Sequence, residues 1–342
     1  MKKIFKVLFK DDSGAVMVLV AIALLVLLGC MALVIDAGVV YAERMKASNA
    51  VDAAVLAGVR ELPSSALLAR QKAEEYAQNN GLEPSDPDNG IQGQVSFDID
   101  PSPQPKWIKG IVDYEKPMLF ARIFNIDIAE IKPSAKAMVG VAGGVSPGSG
   151  VVPLGVKEGT FSVGEQTVLK WRGGGGTNGW YGCLDLDTDA LTGDKSGGGA
   201  DTYREYLKNG YDKWLYIKDC KYVETGSMQG PTDTGIQTRM TSCANHCGTT
   251  PVCTAENHKE DCPRVVIVPV GTASGDPGSN NKFTITGFGA FFIESKEEVQ
   301  DTIDGNKTKN IHLTGTFLKV VVPGEISTGV NDFGVYSYQM CE

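Results

Sequence analysis

The sequence predicts an α+β protein. A single N-terminal transmembrane helix is extended by an Ala-rich helix, then come a small α+β unit and a β-rich C-terminal domain stapled by disulfides. Three observations predict it. Residues 13–35, SGAVMVLVAIALLVLLGCMALVI, carry no charge and no proline, and a helical pattern follows them directly. Val, Ile, Thr and Phe recur later in short runs between Gly- and Pro-rich turns. Seven of the eight cysteines lie in the C-terminal half.

The apolar run sets the topology. At about 1.5 Å rise per residue it spans roughly 35 Å, enough to cross a hydrocarbon core of about 30 Å. Lys2, Lys3, Lys6 and Lys10 precede it and Asp36 closes it. Short basic flanks stay cytoplasmic, so residues 1–12 are expected inside and everything after residue 35 outside, in the periplasm or at the cell surface. A cleaved signal would have an apolar core of about 7–15 residues and then a small-residue cleavage site. This run is longer and lacks the break. Leu27-Leu28-Gly29-Cys30 has the form of a lipoprotein box with Cys30 as the lipidated residue. Against that, Met31 to Ile35 stays apolar where a mature lipoprotein turns polar. The plainer reading makes Cys30 a small apolar residue within the bilayer.

The totals narrow the function classes. With 342 residues there is room for one or two cored domains beyond the anchor, at about 100–200 residues each. A formal net charge of −9 and the lack of any basic stripe exclude nucleic acid as a partner. The acidic residues are dispersed, which serves solubility more than ligand binding.

After Asp36 and Gly38, Tyr41, Met45, Val51, Val55, Val59 and Leu62 recur at mostly helical spacing. Beside them Ala50, Ala54 and Gly58 form a row of small residues that lets another backbone approach closely. That backbone belongs either to a neighbouring subunit or to this chain's own domain, and both readings stand. The segment and the membrane span are expected to form one long helix.

These residues carry a resemblance. Val34-Ile35-Asp36-Ala37-Gly38, then Glu43-Arg44, then Ala50-Val51-Asp52-Ala53-Ala54-Val55-Leu56-Ala57-Gly58 resemble the N-terminal signature of TadE/TadG-like proteins of the Tad (Flp) pilus-assembly system. Asp36, Gly38, Asp52, Ala53, Ala54, Ala57 and Gly58 are its signature positions here. The resemblance extends more loosely over roughly the first 140 residues. It implies a membrane-anchored pilus component, other pilus or envelope subunits as partners, and a pilin-like outline for the small unit. One feature departs from processed pilins: Gly14 is followed by Ala15 to Leu19, with no Glu five residues in. A static minor or assembly component fits better than a cleaved major subunit.

The small unit spans residues 36–140. Within it a helix is predicted over 64–80, with Ser64 or Ser65 as N-cap and Gly81 past its end. A turn cluster follows at 83–90. Strands are predicted at 95–99, 107–114 and 126–141, with a helix at 117–124 between the last two. Residues 141–152 read as a Gly/Ser/Pro linker. It contains Gly144-Val145-Ser146-Pro147-Gly148, a G-x-S-x-G match without the strand-to-helix elbow that a nucleophile needs.

The β-rich domain spans residues 153–342. Strands are predicted at 161–163, 166–171, 214–217, 264–270, 282–294, 310–322 and 334–339, with a turn at 173–179 and a helix at 201–209 capped by Asp201. Asp185, Asp187 and Asp189 alternate, but Ala190 and Ser196 stand where a calcium loop needs Gly and Glu, so a calcium site is not favoured.

Seven cysteines outside the span, Cys183, Cys220, Cys243, Cys247, Cys253, Cys262 and Cys341, point to disulfides in an oxidising exterior, with at least one left over. Cys243, His246, Cys247, Cys253, His258 and Cys262 offer enough ligands for zinc. Their spacing is irregular, C-x3-C-x5-C-x8-C, and lacks C-x2-C knuckles, so zinc is not favoured and no cofactor is expected.

His246, His258 and His312 assemble no nucleophile–base pair, so the chain is not expected to be an enzyme. The leading expectation is a non-enzymatic, membrane-anchored assembly or adhesion subunit of a Tad/Flp-type pilus or related envelope apparatus. The alternative is a tethered cell-surface binding module for glycan, metal or protein. An exported metalloenzyme using the Cys/His loop comes third.

Overall fold

The computed structural model describes residues 12–341 except 86–92, 172–179, 225–227, 249–251, 260, 275–280 and 304–305. The turn predicted at 173–179 and most of the 83–90 cluster therefore lie outside the described residues.

Helix α1 (Asp12–Glu61) is one uninterrupted helix of 50 residues, about 75 Å long at about 1.5 Å per residue. Its apolar first half, long enough to cross a membrane, touches almost nothing: Leu19, Leu25 and Val34 are each about two-thirds exposed. Its outer half is core, with Val51, Val55 and Val59 fully buried. The predicted apolar stripe holds only from Val51 onward, because Tyr41 and Met45 are exposed. Six residues separate Met45 from Val51. At about 100° per residue that step carries the earlier pair about 240° around the axis, onto another face.

Helix α2 (Ala66–Asn79) starts where the Ser65 hydroxyl accepts from the Leu68 amide, and it folds back along α1. Strands β1 (Val95–Ile99) and β2 (Trp107–Val112) form an antiparallel pair. β3 (Tyr114–Pro117) and β4 (Ile128–Ile131) form a separate ribbon. The helix predicted at 117–124 is only a 3-10 turn, Ala121–Phe124. Pro117 is committed to β3, opposite Ile128, and cannot open a helix.

The linker expectation is corrected. β5 (Ser134–Val145) runs through the first half of residues 141–152 and pairs with β2. Its glycines mark close cover, not flexibility. A Cβ on Gly144 would lie 2.5 Å from the Tyr216 ring, and one on Gly140 would lie 2.5 Å from Ile326.

Beyond it come β6 (Leu154–Lys157), β7 (Gln166–Trp171), β8 (Trp180–Asp185), helix α3 (Gly199–Asn209), β9 (Leu215–Tyr216) and β10 (Cys220–Val223). Helix α4 (Gln229–Cys247), β11 (Val265–Ser274), the long hairpin β12 (Lys282–Ile303) and β13 (Asn306–Leu318), β14 (Val320–Val321), β15 (Gly324–Ile326) and β16 (Val335–Cys341) follow. Asp201 lies in the first turn of α3, with Gly198 at the cap. The strand predicted at 161–163 is only an isolated bridge from Val163 to Phe317. No pattern in the sequence predicts α4.

One sheet runs β1-β2-β5-β16-β14, with β15 and β9 also on β5. The other runs β10-β12-β11-β6-β8-β7-β13, and β12 pairs with β13 as well, so its path closes on itself and hides its edges. β16 returns from the C-terminus to lie antiparallel on β5, Tyr336 opposite Val141. Residues 320–341 thus complete the first sheet, and a shared core of Ala142, Val145, Ile267, Phe288 and Val335 joins the two units. The division at 141–152 is a seam inside one packed body.

Candidate functional site

The structure draws most of the sequence-predicted residues into two places, the outer half of α1 and a thiol cluster at the end of α4. On α1, Asp36 is buried one residue past the apolar run. Its carboxylate accepts the backbone amides of Leu119, Phe120 and Ala121 at 3.1, 2.8 and 2.6 Å. Three N–H groups at the start of a 3-10 turn are orphan donors, and a carboxylate satisfies them together. Burial pushes this carboxyl up, but the three amides and nearby Arg122 outweigh it and hold Asp36 below the ordinary carboxylate value. Two turns further along, Glu43 pairs with Lys116 at 3.0 Å, which holds Glu43 low as well. These contacts fasten the β3–β4 ribbon to α1.

The row of Ala50, Ala54 and Gly58 is buried against α2, whose own small residues Ala69, Ala73 and Ala77 are fully buried. A Cβ on Gly58 would lie 2.7 Å from the Ala69 carbonyl oxygen and 2.9 Å from Ile108 Cδ1. Of the two open readings, close packing within the chain is the one observed. Any association between copies must use other faces. Gly38 meets nothing within 4 Å, and Asp52, Ala53 and Ala57 are half-buried. Burial pushes Asp52 up.

None of the eight cysteines is disulfide-bonded, so the predicted staples are not formed in this structure. Cys243, Cys247, Cys253 and Cys262 converge, their sulfurs all within 4.8 Å of one another. Cys243 and Cys247 stand one turn apart on α4, so helical geometry turns the irregular C-x3-C spacing into a shared face. The other three go elsewhere. Cys183 donates to the Tyr203 hydroxyl at 3.1 Å, Cys220 accepts from Thr284 at 3.6 Å, and Cys341 is half-buried on β16. The two histidines of the cluster turn away: His246 Nε2 lies 2.7 Å from Asp261, and His258 Nδ1 lies 3.2 Å from the Thr254 carbonyl.

The remaining candidates are spent on local structure. Asp187 bonds Lys213 and the Tyr206 hydroxyl, while Asp189 accepts from Leu191 and Thr192. Asp185 accepts the Asp187 amide. Ser146 follows a strand but enters a turn, with its hydroxyl on the Pro323 carbonyl. His312 sits on β13 opposite Glu297.

Sequence reasoning missed three features. Arg239 is buried and donates to the Leu207 and Pro263 carbonyls, with burial pulling its pKa down to about 10. Arg264 lies over the Phe292 ring and donates to the Cys253 carbonyl. The turn that Asp36 holds exposes large apolar side chains. For that turn a signal was available, the run LFARIFNIDI at 119–128.

Residues 14–61 match the family model described as "Putative Flp pilus-assembly TadE/G-like". The match covers α1 almost end to end and stops where α1 stops. No curated protein and no solved structure matches the chain.

Proposed function

We propose that this chain is a non-enzymatic, single-pass subunit of a Tad/Flp-type pilus assembly or related envelope apparatus, with its N-terminus in the cytoplasm and its β-rich body outside. One observation carries the reading. The segment that matches the pilus-assembly family is a single helix, exposed and apolar in its first half, and its second half is the core of the folded body. Such a helix couples a membrane-embedded contact rigidly to an exterior surface. The lysines before the span favour the cytoplasmic N-terminus.

The packing of Ala50, Ala54 and Gly58 inside the chain directs subunit contacts elsewhere. They fall to the exposed span and to the face of α1 that presents Tyr41 and Met45. A photo-crosslinking residue at Leu25 or Met45 in cells is expected to trap another envelope subunit, and one at Ala54 only this chain itself. Protease added to spheroplasts is expected to digest the C-terminal body. Protection of that body until lysis overturns the orientation, and no adduct to any envelope protein at either exposed position overturns the subunit role.

A further inference from the structure

The thiol cluster has the geometry of a metal centre. Sulfurs placed tetrahedrally about zinc at about 2.3 Å lie about 3.8 Å apart. Here Cys262 stands 3.6 Å from Cys243 and 3.4 Å from Cys253, nearly equidistant, and all four sulfurs share one 4.8 Å neighbourhood. Two disulfides would instead divide the four into couples at about 2.0 Å. We propose that Cys243, Cys247, Cys253 and Cys262 form a closed structural zinc site that fastens the last turn of α4 to the start of β11.

The surroundings fit a dianionic zinc tetrathiolate. The Arg264 guanidinium lies close by on the Cys253 carbonyl, and the Lys259 ammonium lies on the His246 carbonyl. Phe292, Ala255, Val265 and Leu318 pack around the sulfurs and limit water. A set of four sulfurs selects zinc over calcium or magnesium, and four protein ligands leave no open position for catalysis. The site therefore acts as a clamp in a loop that buries little apolar surface of its own.

The full-length protein, purified in detergent without reductant or chelator, tests this by native mass spectrometry and metal analysis. One zinc per chain, with all cysteines reduced and these four shielded from thiol reagent until a chelator is added, is the expected result. Cobalt added to the stripped protein should give the charge-transfer and intense visible bands of a tetrahedral tetrathiolate. Cys341→Ser is expected to keep the metal, and Cys262→Ser to lose it. A chain lighter by four hydrogens that binds no zinc is a two-disulfide protein and overturns the proposal. Reduced protein that takes up neither zinc nor cobalt overturns it equally.

A separate observation lies at the other end of the molecule and rests on the membrane reading above. Asp36 holds the 119–121 amides at the level where the apolar span ends, so the turn they open is fixed at the bilayer boundary. That turn exposes Leu119, Phe120, Ile123, Phe124, Ile126 and Ile128, with Ile123 81% exposed, beside the equally exposed Val34 and Ile35 of the span. We infer that the turn is a second membrane contact, seated in the outer headgroup–acyl boundary of the bilayer that α1 crosses.

Trp placed singly at Ile123 and, as a reference, at Leu25 in proteoliposomes containing brominated lipid tests it. The fluorescence at both positions is expected to be blue-shifted and quenched by bromine. Quenching at residue 25 but not at 123 overturns the contact alone; a blue-shifted, unquenched residue 123 then places the turn against another copy. Absence of quenching at residue 25 overturns the membrane reading itself.

Discussion

Replacing Gly58 by Leu separates packing within the chain from association between chains, and Gly38 on the same helix is its internal control. Both substitutions exchange glycine for a good helix former, which favours the helix by roughly 0.8 kcal/mol each. They differ in what the new side chain meets. At Gly38 there is nothing within 4 Å, so the helical gain stands alone. At Gly58 the first added carbon already lies 2.7 Å from the Ala69 carbonyl and 3.1 Å from Ala73 Cβ, and backbone cannot yield as a side-chain tip can. Overpacking of this kind costs about 1–3 kcal/mol, and four carbons against a backbone belong at its upper end. Net of the helical gain, Gly58→Leu is expected to destabilise by about 2 kcal/mol, leaving the two variants about 3 kcal/mol apart. Urea unfolding of the full-length protein in micelles, with hydrogen exchange of the Ala66–Asn79 amides as a local probe, reads both numbers. If Gly58→Leu matches Gly38→Leu in stability but abolishes crosslinks between copies, the row serves another subunit and the packing argument fails.

Two further outcomes follow from the same contacts. Asp36 is held below the ordinary carboxylate value of 3.8, so its contribution is fully present above that value and is lost as pH falls through the lower folded-state value. Its carboxyl carbon shift should therefore titrate below 3.8 in micelles, and a midpoint at or above 3.8 refutes the amide latch. Arg239→Ala leaves a cavity and strips the Leu207 and Pro263 carbonyls of their donor, which is expected to cost about 3–5 kcal/mol in urea unfolding. A loss under 1 kcal/mol, roughly that of an ordinary surface change, shows that water replaces the guanidinium.

What the sequence reveals follows from which physical signal each element depends on. The span is legible because twenty-odd apolar residues have few other uses, and α2 is legible from Ser65, its alanines and Gly81. Helix α4 is not. Its buried positions, Thr232, Gly235, Ile236, Arg239 and Cys243, keep helical spacing, yet only Ile236 is strongly apolar, so hydrophobic periodicity has nothing to register. The thiol cluster is hidden by the same helix, since the shared face of Cys243 and Cys247 exists only once the segment coils. Gly140 and Gly144 mislead in the opposite direction. Glycine serves both a flexible linker and a strand covered by Tyr216 and Ile326, and composition alone does not separate the two.

The partner of Asp36 is illegible for a different reason. A lone Asp after an apolar run reads as the end of a span, and nothing local points to amides more than eighty residues away. Yet this contact, with Gly58 on Ala69 and Val51 against Gly110, makes the outer half of α1 one body with the β-sheet. That sheet continues through β5 to β16 and, across the shared core, to the closed sheet. A displacement of the β-rich body must therefore move the apolar half of α1, with no break in the strand at residues 141–145 to absorb it. An anchor held by a loose tether would need only its apolar span. The buried carboxylate and the small-residue seat are needed only if the apolar half of α1 and the β-rich body move as one.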